Sequence, residues 1–182
     1  MILAAGASRR FGRGNKLLAP FRGKALVLHA ADALHRASVN KLLAVTSDPQ
    51  VTALMPEFHH IPGEKLLSQN IARGAAWAKL QGADRLFVVL GDMPFVTPAH
   101  CDLLIERCSD SSASASSFGG VRSPPACFPS AMFDDLIALT GDRGAKALID
   151  AIPSQNIFEA LGGELLDIDT QAEFEALKEQ LH

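Results

Sequence analysis

The sequence predicts a three-layer α/β/α sandwich with helices on both faces of a mainly parallel sheet, and three observations carry that expectation. Short apolar runs alternate with segments of helical periodicity along the chain, the pattern of α/β architectures. The runs Met1 to Ala5, Lys41 to Ser47 and Arg85 to Leu90 are apolar on both faces, as strands covered by helices on either side must be. Two of them run straight into glycine turns that carry polar or charged residues, and open α/β sheets bind ligands just outside the carboxyl ends of their strands. With 182 residues, no internal repeat and no break in composition, one domain over 1–182 is expected. A chain of this size can bury roughly 70% of its unfolded surface without staples.

Each element has a local reason. Met1 to Ala5 is the first strand. Gly6, Gly12 and Gly14 then let the backbone turn, and Arg9, Arg10, Arg13 and Lys16 add positive charge. Such a loop is either a concave phosphate site or a surface turn with solvated arginines. It is neither of two common glycine motifs. Gly6 and Gly12 stand one residue too far apart for a phosphate-binding P-loop. Leu17 stands where a dinucleotide motif opening at Gly12 needs its third glycine. After a Pro-containing turn over 17–24, Ala25 to Ala37 repeats apolar residues at helical spacing. His29 and His35 on it read as structural rather than ligating.

Lys41 to Ser47 is the second strand. Ser47 and Asp48 lie at its carboxyl end, either on the rim of a ligand pocket or capping a helix ahead of Pro49. Val51 to Met55 is a short helix and Phe58 to Ile61 a weak strand on which His59 and His60 alternate faces. A helix follows from about Ser68, its expected N-cap, to Gln81. Arg85 to Leu90 is the strongest strand and opens into Gly91-Asp92-Met93-Pro94. A carboxylate there is fixed beside the ligand crevice and suits magnesium, which takes oxygen ligands; it also fits a plain turn aspartate. Thr97 and Pro98 start a helix as N-cap and first residue. The small-residue run 109–117 reads either as a flexible linker or, from its Ala/Ser alternation leading into Phe118, as a strand, the reading favoured here. Met132 to Leu139 is a helix, and Gly141 to Lys146 opens another that ends near Pro153. Glu164 to Thr170 is expected to be the last strand, with Asp167 and Asp169 on one side, and 170–181 a closing amphipathic helix.

Composition narrows the function. Net charge is −3, which gives no electrostatic case for nucleic acid. No run approaches the ~20 apolar residues of a membrane span. Cys101, Cys108 and Cys127 have no metal-type spacing and fit a reducing compartment; Cys101 and Cys108, seven apart on a helix, read as buried packing residues. A cytoplasmic protein without a membrane or nucleic-acid partner is expected.

Leu3-Ala-Ala-Gly-x-Ser8-x-Arg10-Phe11-Gly12-x-x-x-Lys16 resembles the signature loop of nucleotidyltransferases with a glycosyltransferase-A-like, Rossmann-like fold, the nucleotide-diphospho-sugar transferase type. The molybdenum-cofactor (molybdopterin) cytidylyltransferases are the most similar branch. The segment from Pro20 to His29 also resembles that family's second block, packed behind the loop. The resemblance implies a few residues ahead of the first strand, so that strand is expected to be short. It implies a nucleotide site from Leu3, Ala4, Ala5, Gly6, Ser8, Arg10 and Lys16, with Ser47 on the rim. In such relatives a serine-rich run opens the helix near residue 68 and contacts the nucleotide. Here it reads Leu66-Leu67-Ser68-Gln69-Asn70, and Gln69 and Asn70 are the candidates for a base edge. Leu-Ala-Ala-Gly, as against Leu-Ala-Gly-Gly, leans toward CTP through Ala5.

The G-D-M-P quartet matches the family's metal-binding motif, so the resemblance implies Asp92 as a Mg²⁺ ligand, and the D-I-D-T block implies Asp169 as a second contact. The acceptor side falls to Pro125 of a G-x-P-x-x-F pattern and to Asp142, Arg143 and Lys146 of G-D-R-G-A-K. Pro124 and Ser123 stand where relatives have histidine and glycine. Arg10, Lys16 and Asp92 would serve the chemistry. The implied reaction moves CMP from CTP to a molybdopterin-type phosphorylated acceptor and releases pyrophosphate, with a molybdoenzyme or its chaperone as a further partner. Alternatives are a GTP-using relative, a cytidylyltransferase for sugar or polyol phosphates, and a non-catalytic nucleotide-binding protein of molybdoenzyme maturation.

Overall fold

The computed structural model describes residues 1–6, 11, 14–141, 144–160, 163, 165–168 and 170–179. In chain order the elements are β1 (Ile2–Leu3), β2 (Pro20–Phe21), β3 (Lys24–Ala25), α1 (Val27–Arg36), β4 (Leu43–Val45), α2 (Pro49–Leu54), β5 (His59–Ile61), α3 (Leu67–Leu80), β6 (Arg85–Leu90), α4 (Pro98–Arg107), β7 (Ser114–Phe118), β8 (Val121–Pro129), α5 (Phe133–Ile137), α6 (Lys146–Asp150), β9 (Ile157–Glu159) and α7 (Gln171–Glu179). Seven strands form one sheet in the order β5-β4-β1-β6-β8-β7-β9, and β2 and β3 pair as a small hairpin.

The sheet separates two apolar layers by strand alternation. Ile2, Ala44, Phe87 and Val89 face α1, α2 and α4. Leu3, Leu43, Val45, Leu86 and Val88 face α3, α5 and α6. Full burial of each such valine or leucine contributes roughly 1.5–3 kcal/mol. This is the expected three-layer sandwich. A third cluster of Phe11, Phe21, Leu26, Ile168 and Phe174 ties the opening loop to β2 and α7; Phe11 and Phe174 meet edge to face at 5.3 Å.

β5, β4, β1 and β6 are parallel, whereas β8 runs antiparallel to both β6 and β7. The segment expected to line an acceptor pocket is therefore a nine-residue strand, and the turn over 17–24 contains a hairpin.

Several expectations are corrected. Leu165 to Ile168 is not a strand, because the place beside β7 is taken by β9. Ile168 instead tucks beside Asp92, donating its amide to the Asp92 carbonyl at 3.1 Å. Ser68 does not cap α3: the helix starts at Leu67 with Leu66 at the cap, and the Ser68 hydroxyl donates to the Gly141 carbonyl at 2.5 Å. α6 starts only at Lys146 rather than at Gly141.

Other local expectations hold. Thr97 accepts from the His100 amide with Pro98 opening α4, and the three cysteines are buried and free. His29 bonds the Phe21 carbonyl at 2.8 Å; burial lowers its pKa. His60 bonds the Met55 carbonyl at 2.8 Å and His59 stacks on Trp77. None of the described helices is long and apolar enough to cross a membrane.

Candidate active site

Asp92 is set by the way β6 ends. The Gly91 amide donates to the Leu3 carbonyl at 2.9 Å, which carries the ladder one residue past the strand. A β-carbon at Gly91 would stand 3.3 Å from that same carbonyl oxygen and from Val27 Cγ2. Glycine thus allows the close packing that brings Asp92 to the rim beside β1.

Lys16 reaches Asp92 from the other side. It opens a short 3-10 turn, Lys16–Leu18, whose N-cap Asn15 accepts from the Leu17 amide. Asn15 also donates to Asp48 Oδ2 at 2.7 Å. Asp48 Oδ1 accepts from the Gln50 and Val51 amides at 2.8 and 3.3 Å, so it caps α2. The Asn15 amide, aided by these two backbone amides, holds the Asp48 carboxyl below the usual aspartate range against the opposing cost of burial.

The Lys16 ammonium lies 2.6 Å from Asp92 Oδ2, with side-chain exposures of 8% and 17%. It also donates to the Ile168 carbonyl at 3.0 Å. Asp92 Oδ1 is buried and has no hydrogen-bond partner among the described residues. A buried carboxylate oxygen left bare is costly, and a hard cation that takes oxygen ligands would satisfy it. The fit to magnesium is good on that observation. No three of His, Cys, Asp and Glu converge among the described residues.

Two cavities open on this rim. The larger, about 910 Å³, is lined by Ala4, Ala5, Gly6, Asn15, Ser47, Asp48 and the 63–65 loop. The smaller, about 180 Å³, is lined by Leu3, Ala5, Gly6, Lys16, Asn70 and Asp92, with Lys65 and Leu67. They share Ala5, Gly6 and Lys65. A third cavity, about 550 Å³, opens at the amino ends of the strands near Met1, Lys41 and Arg85, away from Asp92.

The structure thus gathers Leu3, Ala4, Ala5, Gly6, Lys16, Ser47, Asn70 and Asp92 around one cleft. Two of them also hold the neighbouring backbone. Asn70 accepts from the Glu64 amide at 2.6 Å and donates to the Glu64 carbonyl at 3.1 Å. Its amide is spent clamping the 62–66 loop. The Ser47 hydroxyl is likewise bonded to the Gly63 carbonyl at 2.8 Å. Gln69 is exposed on α3 and lines neither rim cavity.

On the acceptor side, Pro125 is buried in β8, and its carbonyl accepts from Ser116 at 2.9 Å. Lys146 pairs with Asp150 within α6 and touches the Arg122 carbonyl at 3.3 Å. Ser8, Arg10, Asp142, Arg143 and Asp169 lie outside the described residues.

Sequence reasoning passed over Asn15 and Lys65. Asn15 carried a usable signal, an Asx residue directly before a turn. Lys65 carried none beyond its charge in a polar loop.

Comparison with known proteins decides the family at this point. Residues 1–157 match the model described as "MobA-like NTP transferase domain". The chain belongs to that family and is a nucleotidyltransferase. It is 29% identical over 195 residues to "Purine catabolism protein PucB" of Bacillus subtilis, covering 98% of this chain and 94% of that protein. It is 31% identical over 129 residues to a Thermococcus kodakarensis protein named "Probable molybdenum cofactor guanylyltransferase", covering 70% of this chain. That match spans little more than half of the relative, 57% of its length. Among solved structures, a nucleotidyl transferase from Methanothermobacter thermautotroptrophicus superposes with a TM-score of 0.84 at 20% identity, covering 98% of this chain and 94% of that one. This likeness is one of fold, the nucleotidyltransferase sandwich.

Proposed function

We propose that the protein moves CMP from CTP to the phosphate of a molybdopterin-type acceptor and releases pyrophosphate, with Mg²⁺ as cofactor, in the cytoplasm. The observation that carries this reading is the Lys16–Asp92 pair with its bare Oδ1, in the smaller rim cavity, which adjoins the larger one through Ala5 and Gly6. The nucleoside occupies the larger cavity over Ala4 to Gly6, and the triphosphate runs toward Lys16. An oxygen of the acceptor phosphate forms the new bond to the α-phosphorus. The bond from that phosphorus to the bridging oxygen breaks, and pyrophosphate leaves with the electron pair.

No side-chain nucleophile is needed, because the attacking phosphate is already ionised. The protein contributes positioning and neutralisation of charge. Lys16 supplies a fixed cation, and Asp92, with Asp169, would hold Mg²⁺. Bound there, Mg²⁺ would polarise the phosphate oxygens it touches. Asp142, Arg143, Lys146 and Pro125 remain the proposed acceptor side, and Ser8 and Arg10 complete the phosphate loop.

Ala5 supports the base choice: it lines the larger cavity, and Leu3-Ala-Ala-Gly, as against Leu-Ala-Gly-Gly, leans toward CTP. The relatives named as guanylyltransferases support GTP instead, and one assay separates the two. Pyrophosphate release is measured with CTP or GTP, Mg²⁺ and molybdopterin. The reading expects CTP to be used and Ala5→Gly to shift preference toward GTP by about tenfold, the worth of ~1.4 kcal/mol. Release with GTP alone removes the CTP assignment, and no release with any nucleotide removes the transfer reaction.

A further inference from the structure

We propose that Lys65 is a second phosphate-binding cation of the site, one that grips the α-phosphate of the bound nucleotide across the cleft from Asp92. The assignment rests on the proposed nucleotide reading. It starts from how the loop between β5 and α3 is built. Five ties hold that loop: Ser47 to the Gly63 carbonyl, two bonds between Asn70 and the Glu64 backbone, Arg73 to the Pro62 carbonyl at 2.8 Å, and an Arg73–Glu64 ion pair at 2.9 Å. So firm an anchorage fixes the one lysine the loop carries. Lys65 is exposed and makes no hydrogen bond or ion pair with any described residue.

Its place in the cleft selects the group it meets. Lys65 lines both the larger cavity and the smaller cavity that holds Lys16 and Asp92. In a nucleoside triphosphate the α-phosphate is the group between the ribose and the phosphate tail. A cation at the joint of a nucleoside cavity and a phosphate cavity faces that group. Lys16 already spends its charge on Asp92 and the Ile168 carbonyl, whereas Lys65 brings an uncommitted charge. The α-phosphorus is where the acceptor's own negative phosphate must approach, so charge neutralisation there lowers the barrier as well as aiding binding.

The test is calorimetric titration of the full chain, as wild type, Lys65→Met and Lys65→Arg, with cytidine, CMP, CDP and CTP. The guanosine series is run beside it, so that a wrong base cannot pass for a wrong residue. The assignment predicts that Lys65→Met weakens the mono-, di- and triphosphate alike by about tenfold or more, the scale of one charge-assisted hydrogen bond. The nucleoside is unaffected, Lys65→Arg recovers most of the loss, and Tm does not move. Weakening confined to the di- and triphosphates, equal weakening of the nucleoside, or no weakening at all overturns it. A wild-type chain that binds none of the eight probes overturns the nucleotide reading itself, and this assignment with it.

Discussion

The two halves of the sheet meet the same cleft by different means. In the β5-β4-β1-β6 half all strands are parallel, and their carboxyl ends deliver Ala4, Ser47, Gly63 and Asp92 to one rim within a few residues of each strand. In the β8-β7-β9 half, β8 runs back along β6 with Val88 opposite Ala126. It is therefore the first residues of β8, from Arg122 to Pro125, that come toward the rim. They are held there by distant ties. Arg122 donates to the carbonyls of Asp150 and Ile152 at 2.8 and 2.6 Å and to Ser154 at 3.1 Å. The first half places chemistry by local sequence, and the second by packing. Substitution of Asp92 or Lys16 in the first should thus cut turnover itself, while substitutions in the second should loosen only one substrate.

The sharpest contrast comes from Asp92→Asn, which should cut turnover on the order of 10³-fold, since metal-assisted charge stabilisation is worth several kcal/mol. Steady-state pyrophosphate release checks this, with circular dichroism to confirm folding. Lys16→Met should cost roughly 10²-fold in turnover, the scale for one fixed donor. It should also lower Tm, because the partly buried Asp92 carboxylate loses its counter-ion. Arg122→Ala should raise the acceptor KM about tenfold and leave the nucleotide KM unchanged. If both rise together, the two halves are not separable and the comparison fails.

Asp48→Ala has the smallest effect, about 1 kcal/mol of stability through the lost cap on α2, read from urea unfolding. The sign of its pH dependence follows from the lowered carboxyl. Its contribution is present above the unfolded value near pH 4 and is lost as pH falls through the folded value. The gap between wild type and Asp48→Ala should therefore close in acid, and a gap that stays constant removes the linkage.

The same division explains what the sequence disclosed. Arg85 to Leu90 and the G-D-M-P turn were legible because burial on both faces and a glycine turn are local signals. So were Thr97-Pro98 and the apolar ends of β1 and β4. The strand expected near residue 167 was not there, because pairing with β7 is a non-local choice and β9 makes it first. Asn70 looked like a base reader because an amide at a helix start is free in a sequence. In the fold both its donor and its acceptor are taken by the backbone of Glu64. Lys65 escaped notice because its meaning lies in the two cavities it joins.

The central claim is that Asp92 holds the cation that couples nucleotide to protein. The most direct measurement is the affinity of wild type and Asp92→Asn for CTP with and without Mg²⁺. The account predicts that Mg²⁺ tightens CTP binding to the wild type by at least tenfold and leaves the variant unchanged, the coupling having been removed. An equal Mg²⁺ effect on both proteins would contradict it.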